Sequence, residues 1–201
     1  MPRFTPFDFG VSWVMGFFHQ DGTHYGDTAA EIVANHLAGW SGEAALAVRR
    51  DALLLGDLPS TTLEVLWNAG AEYLPDLGRL GGGAGWTRTV VELCDTRLSA
   101  EAGVRPLTGA DTEDGTDCLD AVVAEIEATR FLPAEVRAAL VDCARRCTPD
   151  LALRILLRAI RSAAQDAVLS PDQYRRLESL GSALQYGEFL VDSVRYRVEQ
   201  L

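Results

Sequence analysis

A start signal for helices recurs along this chain and constrains its fold more than any other feature. Thr28 stands three residues before Glu31, the capping-box spacing in which a hydroxyl and a carboxylate each satisfy an orphan N–H at a helix start. Ser60 or Thr61 with Glu64 reads as the same device. Thr148-Pro149-Asp150 and Ser170-Pro171-Asp172 each set a capping hydroxyl ahead of a proline at the first helical position, where its missing N–H is harmless. Apolar residues follow at three- and four-residue steps, as in Val122, Val123 and Ile126, or Val136, Leu140 and Ala144. Strand signals are scarce. In residues 189–198 an alternating strand and a helix both fit, and Leu190, Val194, Val198 and Leu201 at helical steps favour the helix. The pattern predicts an all-α fold, a bundle of about eight helices.

Helices are expected from Thr28, over 42–55, 60–70 and 86–100, from Asp117, after Pro133, from Pro149, and from Pro171 to Gly187. Residues 1–18, rich in Phe and Trp but interrupted by proline and glycine, read as an ordered arm lying across the helices. Residues 77–85, with their run of glycines, read as a flexible loop. Residues 101–116 are polar and turn-rich and read as a linker between a helical domain at 1–100 and a second at 117–201. The two halves form either one bundle or two sub-bundles.

At 201 residues and 48% hydrophobic, the chain can bury a core without disulfides. Cys94, Cys118, Cys143 and Cys147 have no zinc-ligand spacing; Cys143 and Cys147 share a helix face and read as small buried thiols rather than a redox pair. All 18 basic residues are arginine, against 29 acidic ones, for a net charge of −11. That balance argues against nucleic-acid binding, which needs a concentrated basic surface, and suits a basic protein partner. Met1-Pro2-Arg3 does not lead into an apolar stretch with a cleavage site, and no apolar run has the length of a membrane span. The expected location is the cytoplasm, with no membrane contact.

Candidate chemistry is thin. His19, Asp21 and His24 invite a metal or acid–base reading, but His36 is the only further histidine, and a metal site needs three or four fixed ligands. The structural reading has His19 and Asp21 bonding backbone groups where the arm meets the first helix, anchored by Phe17 and Phe18. Gly81-Gly82-Gly83-Ala84-Gly85 lacks the lysine of a phosphate loop, and there is no Gly-x-Ser-x-Gly. Arg154, Arg158 and Arg161, like Arg175 and Arg176, recur opposite apolar stripes and read as solvated faces. No catalytic residue, cofactor or metal is expected. Between Asp111 and Glu127 acids accumulate without one basic residue. A helix dipole accounts for Asp117 and Asp120, but it acts over a single turn. Asp111, Glu113, Asp114, Asp117 and Asp120 are therefore the candidate partner-binding residues.

Phe17-Phe18-His19-Gln20-Asp21, Asp27 at a helix head, Tyr73-Leu74-Pro75 and Trp86 at the start of the fourth helix form a further pattern. With them the chain, from about Phe7 to Leu98, resembles the immunity proteins of bacterial contact-dependent growth inhibition systems. It departs at Gly22, where the family often has tryptophan, and residues 101–201 extend past the resemblance. The resemblance implies a stoichiometric inhibitor that binds the toxic domain of a cognate effector, and that is not an enzyme. Many such toxins are nucleases with basic surfaces. The alternative is a helical regulatory or scaffold protein with a different partner.

Overall fold

Hydroxyl caps open the helices much where the sequence puts them. In the computed structural model, which describes residues 3–199, Thr28 accepts from Glu31 N and Glu31 reaches back to complete the box that starts α2, Ala29–Ala38. Thr148 accepts from Leu151 N to start α8, Pro149–Ser162, and Ser170 accepts from Gln173 N to start α9, Pro171–Ala183. Between them lie α3 (Gly42–Leu55), α4 (Ser60–Gly70), α5 (Gly82–Ser99), α6 (Leu119–Ala128) and α7 (Ala134–Arg146). A short α1 (Gly10–Met15) precedes them and α10 (Glu188–Asp192) follows. The fold is all-α; among the described residues the only β pairing is an isolated parallel bridge between Leu169 and Val198.

Several expectations need correction. The aromatic arm is not free of helix: α1 forms inside it, because Val11 N donates to Asp51 Oδ2 at 3.1 Å and the segment is buried against α3 and α8. The glycine run at 77–85 is not a loose loop. Leu77–Leu80 is a 3-10 turn, and α5 starts at Gly82, four residues ahead of Trp86. Ser60 and Glu64 do not box the start of α4, whose N-cap is Pro59. Their side chains instead cap α5 from outside: Glu64 Oε1 accepts from Gly83 N at 3.2 Å and Ser60 Oγ from Ala84 N at 3.1 Å. A Cβ at Gly83 would come within 2.5 Å of Ser60 O, so glycine is what lets the two helix starts touch. Helix α9 ends at Ala183, short of Gly187, and residues 189–198 form α10 and a 3-10 turn at Arg195–Arg197 instead of one helix. Leu201 lies outside the described residues.

Helix α8 is the axis of the core. It packs on α1, α4, α6 and α7, and Leu151, Leu153, Ile155, Leu156 and Ile160 are all buried. One apolar cluster joins Trp67 and Trp86 from before residues 101–116 to Leu140, Ile155 and Leu177 from after them. Residues 101–116 run over this body and are pinned to it. Ala110 is buried, Arg50 Nη1 donates to Asp111 O, and Asp150 N donates to Asp114 O at 2.9 Å.

Candidate functional site

The largest surprise lies along α8. Arg154 is not on a solvated face; it is fully buried. Its Nη1 donates to Asp51 Oδ2 at 2.8 Å and to Phe9 O at 2.7 Å, while Nε and Nη2 donate to Asp150 Oδ2 at 3.1 and 2.9 Å. Arg3 closes the other side, with Nη2 donating to Asp150 Oδ1 at 2.9 Å and to Leu184 O at 2.9 Å. Both guanidiniums lie over the Phe9 ring, Arg3 Cζ 4.7 Å and Arg154 Cζ 4.2 Å from its centroid. Burial works to raise the Asp51 carboxyl, but Arg154 and Arg50 overcome it and hold it below the ordinary value. Burial likewise opposes the charge on Arg154, and Asp150 and Asp51 more than restore it. Burial pushes the Tyr186 phenol well up, and its hydroxyl donates to Asp150 O at 3.0 Å. This network ties the N-terminal segment, α3, α8 and the end of α9 together.

One turn further along α8 the chemistry changes. Arg158 lines a cleft of about 340 Å³ bounded by Phe7 and Asp8, by Trp13 of α1, by Trp40 after α2, by Leu157 and Arg161 of α8 and by Phe189 of α10. Phe7 and Phe189 stack at 4.9 Å, and Trp13 meets Trp40 edge-on at 5.1 Å. Phe7, Trp40 and Phe189 are about half exposed, so aromatic surface forms the mouth. Asp8 Oδ1 accepts from Phe9 N at 2.9 Å and from the Ser12 hydroxyl at 2.6 Å. Burial still pushes the Asp8 carboxyl up, and burial pulls the Arg158 guanidinium down. A wider groove of about 670 Å³ runs between α4, α7 and α8, with Val65, Leu132 and Val136 on its floor and Glu64, Glu72 and Glu135 among its walls.

The residues of the sequence motif divide. Phe17 and Phe18 are buried: Phe17 stacks on His36 at 3.9 Å, and Phe18 meets Trp86 edge-on at 5.9 Å. Phe18 O accepts from Glu72 N and Tyr73 N, each at 3.1 Å, which ties the backbone of that turn to Phe18, while the Tyr73 ring itself is exposed. His19 is half-buried, and its Nδ1 accepts only from Asp21 N at 3.2 Å. Gln20, Asp21 and Asp27 are exposed, and the Asp21 side chain caps nothing, contrary to the backbone role expected of it. Among the described residues, no three of His, Cys, Asp and Glu come together as a metal site would require. Cys143 and Cys147 are free thiols, and the Cys147 thiol donates to Leu54 O at 3.2 Å; the neighbouring thiol together with burial raises Cys143, and the proximity of Cys143 lowers Cys147.

The acidic stretch also divides. Asp111 Oδ1 accepts from Phe4 N at 2.9 Å, and Asp114 Oδ1 accepts from Thr116 N and its hydroxyl at 2.9 and 2.8 Å. Those bonds hold the Asp114 carboxyl below its usual value. Glu125 is buried and paired with Arg176. Glu113, Asp117, Asp120 and Glu127 are exposed and ion-pair with no arginine among the described residues. Comparison of the chain with protein-family models, with curated proteins and with solved structures returns no match.

Sequence spacing alone does not mark Asp8, Asp51, Asp150, Arg154 and Arg158 as site residues. One signal was available: Asp150, Arg154 and Arg158 stand at four-residue steps in a helix whose remaining positions are almost all apolar. The spacing marks the stripe, and its burial depends on Phe9 and Asp51, which lie far from it along the chain.

Proposed function

We propose that the protein acts by binding another protein, as an immunity-type inhibitor that covers the working surface of a cognate toxic domain in the cytoplasm. The reading rests on the resemblance carried by Phe17–Asp21, Tyr73 and Trp86. The observation that carries it is the exposed, unpaired acidity of Glu113, Asp117, Asp120 and Glu127. A carboxylate surface can occupy a basic nuclease face in place of nucleic acid, and complementary charge speeds encounter. No helix of the described residues is long and apolar enough to cross a membrane.

The decisive experiment is capture of the partner from the native host, followed by expression of that partner alone. It must arrest growth, and co-expression of this chain must restore it. A captured partner without toxicity would favour the regulatory or scaffold alternative. Replacing Glu113, Asp117 and Asp120 by Gln, Asn and Asn, while sparing Asp111 and Asp114, should slow association and flatten its salt dependence. If Glu72→Gln with Glu135→Gln does so instead, the contact lies in the groove between α4, α7 and α8.

A further inference from the structure

We propose that the cleft between α1, α8 and α10 binds a small monocarboxylate, its apolar body against Trp13, Trp40 and Phe189 and its carboxylate on Arg158. The starting observation is a cation without a counter-ion. The Arg158 guanidinium donates to Gly70 O through Nε and Nη2, both at 3.3 Å, longer than the roughly 2.7–2.9 Å of a charge-assisted bond. It makes no ion pair among the described residues, although Asp8 and Glu72 attract it from farther off. Arg154, one turn away on the same helix, is matched by two carboxylates. A largely buried charge left in this state is costly, so the site is electrostatically incomplete without an anion.

The walls specify the rest of the ligand. Around the guanidinium stand aromatic rings and Leu157, which reward contact with apolar surface. The volume, about 340 Å³, is at the small end of ligand pockets and suits a small molecule. Arg161 at the rim is exposed and makes no ion pair among the described residues, while Asp8, the one acid in the cleft, is held by Phe9 N and Ser12. The balance favours one negative charge. A planar carboxylate matches the guanidinium fork, whereas a dianion would leave a second charge among the rings.

The test uses the full chain and two pairs of probes: 3-phenylpropionate with its amide, and octanoate with octanamide. Binding is followed by calorimetry and by tryptophan fluorescence, since Trp13 and Trp40 line the cleft. The acids should bind saturably and at least about tenfold more tightly than the amides, because only they supply the charge. Arg158→Gln should bring acid and amide to similar affinity, and Trp40→Ala should weaken both. Arg161→Gln, at an exposed position, should reduce the preference for the acid by a smaller factor. Equal binding of acid and amide to the wild-type chain would overturn the proposal. So would the absence of saturable acid binding in the millimolar range, or an acid preference that survives Arg158→Gln. The acid–amide comparison needs no variant, so it holds even if a substitution impairs folding.

Discussion

Arg154 and Arg158 sit one turn apart on the same buried helix and live in opposite electrostatic states. Arg154 has a carboxylate on each side, a carbonyl and an aromatic ring, and is held firmly charged. Arg158 has one carbonyl at long range, and burial pulls its affinity for the proton down. The acids repeat the contrast, since Asp51 is held below its usual value and Asp8 is pushed above it. Burying a charge is not in itself stabilising or destabilising; the number and distance of its partners decide. The first centre is a joint of the fold, and the second is an arginine without an ion pair among the described residues, at the edge of a cleft.

Four substitutions test that contrast. Arg154→Met should have the largest effect, a loss of about 3–5 kcal/mol, because it takes the most buried cation from two buried carboxylates and leaves Asp51 to Arg50 and Asp150 to Arg3. The denaturation midpoint would show it, and a loss under about 1 kcal/mol would mean the network is not a joint. Gly10→Ala should come next, at roughly 2–4 kcal/mol. Gly10 has φ +68°, and a Cβ there would lie 1.8 Å from Asp51 Oδ2. Arg158→Met, by contrast, should stay within about 1 kcal/mol of wild type or gain stability, since little holds that charge in place. A loss as large as that of Arg154→Met would erase the comparison.

The smallest change is expected for Asp8→Asn, under about 1 kcal/mol and in the stabilising direction at neutral pH. The sign follows from the raised carboxyl: the folded chain holds the proton more tightly, so Asp8 lowers stability as pH rises from about 3.9 through its folded value. The gain in Asp8→Asn should therefore vanish below about pH 4. Asp51 behaves the other way. Its support is present above about pH 3.9 and is lost as pH falls through its lower folded value. Stability measured against pH for Asp8→Asn and wild type would separate the two.

Local signals were legible in the sequence, and signals whose partner lies far along the chain were not. Thr28, Thr148 and Ser170 cap the helix that follows them, and each start was readable from a few adjacent letters. Ser60 and Glu64 have the same letters at box-like spacing, yet they serve α5, 19 to 24 residues further along the chain. Nothing local distinguishes the two uses. For the same reason the glycines at 81–85 read as slack when Gly83 is a point of close contact. Helix α1 is too short to announce itself and depends on Asp51. Periodicity marked the arginine stripe of α8 but not which side of it faced water. Of the candidate partner surface, the sequence separated acid from base, but not Asp111, bonded to Phe4 N, and Asp114, tied up in its own turn with Thr116, from Glu113 and Asp120, whose carboxylates are free at the surface.

The joint at Arg154 has a consequence during synthesis. Arg3 needs Asp150 and Leu184, and Pro6 O accepts from Phe189 N at 3.2 Å. These residues are separated by nearly the whole described chain, and at roughly 5–20 residues per second the wait between them is about 10 to 35 s. While it lasts, α3 and the first aromatic residues have emerged without the arginine that their aspartate requires. A nascent chain can collapse in that interval but cannot lock. Its resistance to protease on the ribosome should therefore rise in one late step, when α9 and α10 arrive to take hold of the segment ahead of α1.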